Sequence, residues 1–223
     1  MATYKNYSIS KKKGKFYLKE KTPTEGYEEV TYGENKKTYH KYVSTIEGVP
    51  NYFGVKEVEY EGTKLKFLEL SLDEGGEIYS KISAPLKNKG GYTDETKAII
   101  SSLLGYKMGE PVTISPRTTK TEGTNGKTYE NFNMYINYKN IKKEDGKEAS
   151  TGYINFSDIP KPTSKIVAGD TTWDWSLQTE FYYQKLQEIE AKFKGATTSE
   201  KPKEEVTKTT TTKKEAGKKD LPF

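Results

Sequence analysis

Tyrosine and lysine recur together in the segments of this chain that have strand character. The chain has 18 Tyr, 8 Phe and 2 Trp among 223 residues, so most of its aromatic area lies on rings with a polar edge. Exposed rings can stack on nucleobases and lysines can neutralise phosphates, a combination typical of surfaces that bind single strands without reading their sequence. The residues predicted to form such a surface are Tyr39, Lys41, Tyr42, Lys64, Lys66, Tyr79, Lys81, Arg117, Lys120, Lys127, Tyr129 and Tyr135.

Strand alternation predicts which of these rings are exposed. Tyr79 and Lys81 share the face opposite Ile78 and Ile82. Tyr135 lies on a face of asparagines, away from Phe132 and Ile136. The competing interpretation is structural. Tyrosine is a favourable strand residue, and a neighbouring lysine solubilises a sheet face or protects an edge strand.

The charge balance limits the kind of nucleic-acid recognition that we expect. The formal net charge is +5, from 37 basic and 32 acidic residues, which permits binding to a polyanion. Arg117 is the sole arginine. Bidentate contacts to guanine edges usually come from arginine, so the chain can make very few of them. Sequence-specific duplex recognition is therefore disfavoured.

The residue types needed for most enzyme sites are scarce. Cysteine is absent and His40 is the single histidine, which excludes thiolate zinc sites, cysteine nucleophiles and histidine clusters; we interpret His40 as structural. The segment Gly123–Thr128 is similar to a phosphate loop, but that motif needs glycine where Thr121 stands. We therefore expect no enzyme activity, no metal and no cofactor. No stretch approaches 18 consecutive apolar residues, and the first 15 residues lack the apolar run of a signal peptide, which predicts a cytoplasmic protein without a membrane partner.

Runs of aromatic and β-branched residues bounded by Gly, Pro or Asn predict a chain that is mainly strand. In one of them the apolar parity changes between Phe67 and Leu68, which indicates either a β-bulge or a strand buried on both sides. Asp73–Gly76 has the composition of a hairpin turn. The predicted strands are Lys15–Leu18, Lys37–Ile46, Val55–Tyr60, Lys64–Leu72, Glu77–Ile82, Pro111–Thr121, Tyr129–Tyr138 and Tyr153–Phe156.

Two helices are predicted. The shorter spans Thr93–Leu104, with Thr93 as its N-cap. The longer spans Thr172–Lys194, with Thr171 or Thr172 as N-cap and Gly195 just beyond its end. Its apolar stripe, which either packs on the domain or forms a dimer contact, consists of Tyr182, Leu186, Ile189 and Phe193.

The order of these elements favours a mainly β fold with an OB-fold-like barrel, one short internal helix, a long C-terminal helix and a disordered tail. On this mapping either Lys37–Ile46 or Val55–Tyr60 opens the barrel, and Gly123–Lys127 lies between its last two strands. An SH3-like barrel or a sandwich fits the strand count nearly as well, but the helix position favours the OB fold.

The composition changes after Gly195. Residues 196–223 are rich in Thr, Lys and Glu and contain no aromatic residue before Phe223, so this segment cannot bury enough apolar area to fold. We therefore predict a binding domain over residues 1–195 and a disordered tail over 196–223.

The end of the tail carries a short motif. Asp220-Leu221-Pro222-Phe223 resembles the C-terminal tip of bacterial single-stranded DNA-binding proteins, in which an acid, an aliphatic residue, Pro and Phe follow a disordered linker. The resemblance implies that these four residues bind replication, recombination or repair proteins, because a terminal aromatic ring and a carboxylate can enter one pocket with a basic rim. The tip is less acidic than the bacterial one, because lysines precede Asp220, and the domain is larger. The chain therefore resembles a phage protein of this type that carries the same tip, which implies the host cytoplasm.

The sequence therefore predicts sequence-unspecific binding and protection of single-stranded DNA during replication, recombination and repair, by a monomer or homodimer that recruits partners through its tip. The alternative is a structural or virion-associated interaction protein whose tail is a tether.

Overall fold

The protein is mainly β with two helices. The computed structural model describes residues 1–32, 36–88, 91–123, 126–167 and 170–199. Within these residues the strands are β1 (Thr3–Ser10), β2 (Lys15–Glu20), β3 (Glu28–Tyr32), β4 (Lys36–Val43), β5 (Ile46–Tyr60), β6 (Thr63–Gly75), β7 (Ile78–Pro85), β8 (Lys87–Asn88), β9 (Gly91–Tyr92), β10 (Val112–Glu122), β11 (Thr128–Lys142), β12 (Glu148–Ser150), β13 (Thr163–Val167) and β14 (Asp170–Asp174).

Ten of these strands form one sheet in the order β12-β11-β10-β5-β6-β7-β1-β2-β4-β3. All its ladders are antiparallel except β1 with β7, which is parallel. Among the described residues the ladders do not close into a barrel, since β12 and β3 are the two end strands. The predicted mainly β class is confirmed.

The sheet is curved enough for distant strands to meet. The turn between β1 and β2 contacts β10, where the Thr118 hydroxyl donates a hydrogen bond to the Lys11 carbonyl oxygen. Gly14 in this turn has a φ of +57°, and a Cβ added there would lie 2.6 Å from the Thr118 backbone nitrogen. This backbone contact requires glycine, both for its positive φ and for the missing side chain.

The first helix, α1 (Asp94–Leu103), begins where the sequence predicts. The Thr93 side chain accepts a hydrogen bond from the Thr96 backbone nitrogen, as an N-cap does. Ile99, Ile100 and Leu103 are fully buried, and α1 packs mainly on β11. It follows β7 to β9 in the chain and precedes β10.

The second helix, α2 (Ser176–Ser199), is displaced from its predicted bounds. The proposed caps Thr171 and Thr172 are wrong, because both residues lie in β14 and pair with β13. Instead, the Ser176 backbone nitrogen and hydroxyl both donate to Asp174 Oδ1. The helix also continues through Gly195, so the predicted stop there is wrong and the predicted domain boundary falls inside α2.

The apolar stripe of α2 packs on its own domain. The four predicted residues are all buried, and Phe193 contacts the rings of Phe53 and Tyr106, while Tyr182 contacts Tyr92. The packing interpretation is confirmed, and the stripe is not exposed for a dimer contact. Neither helix has an apolar stretch long enough to cross a bilayer, within the residues described.

Several strand predictions need correction. The predicted strand Lys37–Ile46 is wrong as one element, because the chain bends at Ser44 and Thr45 and continues in a different part of the sheet. Tyr153–Phe156 is not a strand. Thr151 still donates its backbone N–H to β11, but Gly152 has a φ of +119° and turns the chain away, after which Phe156–Asp158 forms a 3-10 turn.

The change of parity in β6 occurs where the strand passes from an exposed end into the middle of the sheet, since Leu65 is 39% exposed and Phe67 is half-buried. The register of β6 with β5 is continuous from Leu65 to Leu70, so no bulge lies between Phe67 and Leu68. Leu68, Leu70 and Leu72 are buried on the core face, and Glu69 and Ser71 are also buried on the opposite face. The middle of β6 is therefore buried on both sides, but the two residues that change the parity lie outside that stretch.

Candidate nucleic-acid interface

One face of the sheet points away from the core, and we call it the outer face. Residues paired in register share a face, and Tyr79 pairs with Tyr4 while Lys81 pairs with Asn6. The alternate residue, Ile82, is buried. The predicted placement of Tyr79 and Lys81 on the face opposite Ile82 is therefore confirmed, and both side chains are half-buried there.

Tyr4, Tyr79 and Lys81 form a compact cluster on the outer face. The two rings stack with centroids 5.4 Å apart and planes inclined by 23°, and Lys81 Nζ lies 5.0 Å from the Tyr4 centroid. Tyr4 is 55% exposed. Glu69 lies between two lysines, 3.7 Å from Lys81 Nζ and 4.0 Å from Lys56 Nζ. A planar group could therefore stack on Tyr4 beside a partly neutralised cation.

A second ring and cation lie at β10 and β11. The Arg117 guanidinium carbon is 5.4 Å from the centroid of the Tyr135 ring, which is 45% exposed. Both side chains point away from the core, because Ile114 and Ile136 alternate with them and are buried. Within the described residues no carboxylate lies within ion-pair distance of Arg117, so its charge is available to a ligand.

The predicted residues of β4 divide between the two faces of the sheet. Tyr42 pairs with Tyr17, and Lys13 Nζ lies 3.7 Å from the Tyr42 centroid. Tyr39 and Lys41 alternate with Tyr42 and project to the other side, where the Tyr39 hydroxyl donates to Glu29.

His40 is buried beside these tyrosines. Its ring stacks on Tyr17 with centroids 4.3 Å apart, and its nitrogens contact the hydroxyls of Thr38 and Tyr42. Burial, together with nearby Lys19 and Lys13, lowers the pKa of His40. These contacts support the structural interpretation of His40.

Three predicted lysines lie on the face opposite the outer one. Lys64 and Lys66 both lie near Glu57 of the neighbouring strand, at 3.2 and 3.7 Å, and Lys120 lies 3.5 Å from Glu130. They belong to an ordinary pattern of cross-strand pairs on exposed strand ends. The structure therefore does not bring these lysines to the surface that carries Tyr79 and Tyr135.

The remaining predicted residues lie at the β10–β11 turn and in the tail. Lys127 accepts a backbone hydrogen bond from Gly123 across the turn, and Tyr129 is exposed and pairs with Thr121. The predicted tip, Asp220–Phe223, lies outside the described residues.

Tyr4 is a candidate that sequence reasoning missed. It shares one face of β1 with Asn6 and Ser8, opposite the buried Tyr7. This mostly polar run is a weak strand signal. Its position beside Tyr79 depends on a parallel ladder between segments about 75 residues apart. Only the alternation of polar and apolar residues in the first ten positions could have indicated an exposed face here.

A cleft of about 660 Å³ lies at one end of the sheet, but its cations are already paired. Lys139 lies 2.5 Å from Glu47 and Lys5 lies 2.6 Å from Glu74. Burial would raise the pKa of Glu74, yet hydrogen bonds from Lys5 and Ser80 hold it below its ordinary value. The two cations of the cleft are thus neutralised by carboxylates of its own lining.

Comparisons of this chain with protein-family models, curated protein sequences and solved structures gave no match. No three His, Cys, Asp or Glu side chains come together as a metal-binding group in the part of the chain that is described.

Proposed function

We propose that this protein binds single-stranded DNA without sequence preference, through the outer face of its sheet, and protects it during replication, recombination and repair. The observation that carries the proposal is the pairing of tyrosine rings with cations at two places on this face, each with one exposed ring. One is Tyr4 and Tyr79 with Lys81, and the other is Tyr135 with Arg117.

The chemistry of these two clusters suits unspecific recognition. Every nucleobase has a π-face, so a ring selects no particular base, while a cation beside the ring attracts the backbone phosphate. Duplex DNA hides the base faces within the stack, so stacking on Tyr4 and Tyr135 favours an unpaired strand. With a single arginine, the protein has only one guanidinium group that can make a bidentate contact to a guanine edge.

The chain order supports an OB-type architecture as part of this proposal. The strands β5, β6 and β7 form an antiparallel meander, α1 follows, and β10 then returns to pair with β5 over Ile46–Gly48. Three strands, a helix and a returning strand pair follow the order of an OB fold. In this interpretation β1 and β2 extend the sheet beside β7.

Partner recruitment is the second half of the proposal and rests on the resemblance of Asp220–Phe223 to the bacterial tip. The last residue offers an aromatic ring, and Leu221 adds an apolar contact beside Pro222. Such a segment suits a small apolar pocket with a basic rim on a replication or repair protein.

Fluorescence anisotropy with labelled oligo-dT tests the binding proposal. The full chain should bind at 50 mM salt, with an affinity that falls steeply as salt rises. Tyr4→Leu and Tyr135→Leu should each weaken binding by about 5- to 150-fold, the equivalent of about 1–3 kcal/mol for one lost base stack. Tyr4→Phe and Tyr135→Phe keep the ring and should bind as the unaltered protein does.

Tyr153→Leu is the matched control, because Tyr153 is 73% exposed but lies in the segment before the 3-10 turn. It should leave the affinity unchanged. Absence of binding at 50 mM salt would remove the proposal, and so would leucine variants that bind as tightly as their phenylalanine counterparts. The surviving explanation would then be an interaction protein with a tether.

A further inference from the structure

The turn between β1 and β2 is the most lysine-rich segment among the described residues, and the fold carries it to β10. Lysines occupy positions 11, 12, 13 and 15 around Gly14. A Cβ at Gly14 would lie 3.2 Å from the Arg117 Cα, so the two backbones touch. Since consecutive Cα atoms are about 3.8 Å apart, the Cα of Lys15 lies within about 9 Å of that of Arg117.

The four lysines of this turn have two different roles. Lys11 lies 2.5 Å from Asp94 at the start of α1, and Lys13 lies 2.7 Å from Glu28. These two pairs hold the turn against neighbouring elements. Lys12 and Lys15 are exposed, and no carboxylate among the described residues pairs with them.

Lys15 projects to the same side of the sheet as Arg117. It alternates with Phe16, which is fully buried, and it shares the face of Tyr17. Lys11 and Lys13 each pair with a carboxylate, and Glu95 and Glu130 also lie near Lys11. Among the described residues, the cations of the junction without a paired carboxylate are therefore Lys12, Lys15 and Arg117. The exposed Tyr135 ring lies against Arg117.

We propose that Lys12, Lys15 and Arg117, here called the junction patch, bind the phosphodiester backbone of the single strand whose base stacks on Tyr135. This inference rests on the proposed function and adds a site to it. In a nucleotide the phosphate lies beside the base. The unpaired cations can bind the phosphate while the nearby ring stacks on the base. The Gly14 contact is what assembles the patch from segments about 100 residues apart.

The salt dependence of oligo-dT binding tests the junction patch. For single strands each neutralised phosphate contributes about 0.7 to the slope of log affinity against log salt. Lys12→Gln with Lys15→Gln should therefore lower that slope by about 1.4. With affinities that are equal at about 1 M salt, this change weakens binding about 25-fold at 0.1 M salt and only about 3-fold at 0.5 M. Arg117→Gln should lower the slope by about 0.7.

The matched control is Lys143→Gln with Lys161→Gln, which removes the same charge from two exposed lysines outside the junction. Its slope should equal that of the unaltered protein, and circular dichroism should show all variants folded. Lys12→Arg with Lys15→Arg should preserve the slope, because the charge is retained.

Each outcome separates the patch from the wider proposal. If the unaltered protein binds oligo-dT but the double variants at 12 and 15 and at 143 and 161 lose equal slope, the patch is overturned and the proposed function stands. If the unaltered protein does not bind, both fall. A loss for Lys12→Gln with Lys15→Gln that is equal at 0.1 and 0.5 M salt also overturns the patch, because contacts to phosphate must weaken as salt rises.

Discussion

Replacing Gly14 by alanine tests the contact that brings the β1–β2 turn against β10. Two costs follow from the geometry. At a φ of +57° a Cβ meets its own backbone, which costs about 1–2 kcal/mol. The added methyl also lies 2.6 Å from the Thr118 nitrogen, so the turn must move away and lose the hydrogen bond from Thr118 to Lys11, worth about 1 kcal/mol.

Gly62→Ala separates these two costs. Gly62 lies in the β5–β6 turn with a φ of +75°, and an added Cβ meets nothing within 4 Å. This control should lose only the conformational part, about 1–2 kcal/mol, whereas Gly14→Ala should lose about 2–3 kcal/mol when both parts are added. Urea unfolding followed by circular dichroism measures both values. With a dependence of about 2 kcal/mol per molar urea, the difference of about 1 kcal/mol should separate the two midpoints by about 0.5 M.

A third variant identifies the source of the difference. Thr118→Val removes the hydroxyl that donates to Lys11, so its effect should be smaller after Gly14→Ala than in the unaltered protein, because the contact is already broken. Equal losses for Gly14→Ala and Gly62→Ala, or full additivity with Thr118→Val, would refute the reasoning. Gly14→Ala should also weaken oligo-dT binding at low salt, since it separates Lys15 from Arg117.

Two further predictions concern the tail and the buried histidine. Deleting Leu221–Phe223 should leave oligo-dT affinity unchanged and abolish pull-down of replication proteins; a loss of DNA affinity would contradict the division of labour between face and tip. Burial lowers the pKa of His40 from 6.5, so the unfolded chain binds more protons and stability should be full above about pH 6.5 and fall below it. In urea unfolding at pH 7.5 and 5.5, His40→Gln should show a smaller loss than the unaltered protein, and an equal loss would contradict this assignment.

Local signals predicted the helices better than their ends. The Thr93 cap is a contact between residues three apart, so the sequence alone reveals it. The stripe of α2 repeats at helical spacing and is correctly predicted as buried. Its start was missed because Thr171–Trp173 is also a favourable strand segment, and pairing with β13 decides the outcome.

The faces of single strands were predictable, but the relation between faces of different strands was not. Alternation places Lys64 and Lys66 together, as it does Tyr79 and Lys81. Whether those two pairs share a surface depends on the register between β6 and β7. Ser71 pairs with Lys81, so the odd-numbered residues of β6 share the outer face and Lys66 lies on the other. The alternation within each strand does not specify the register between two strands, so the sequence does not show which of their residues share a face.

The position of the candidate site also depends on curvature, which arises from contacts between distant residues. Strand alternation alone predicts that Arg117 is exposed and does not show which residues lie near it. Among the described residues Arg117 has no acidic partner, and its one described aromatic contact is Tyr135. Contact with Gly14 brings the backbone of the lysine-rich β1–β2 turn against Arg117. Like charges brought together destabilise a fold slightly, and here two of the lysines are compensated by Asp94 and Glu28. The uncompensated remainder is an unfavourable arrangement for the free protein, and binding a phosphate backbone would relieve it. Stability measured in low salt should therefore rise when Lys12 and Lys15 are neutralised, even as oligo-dT affinity falls.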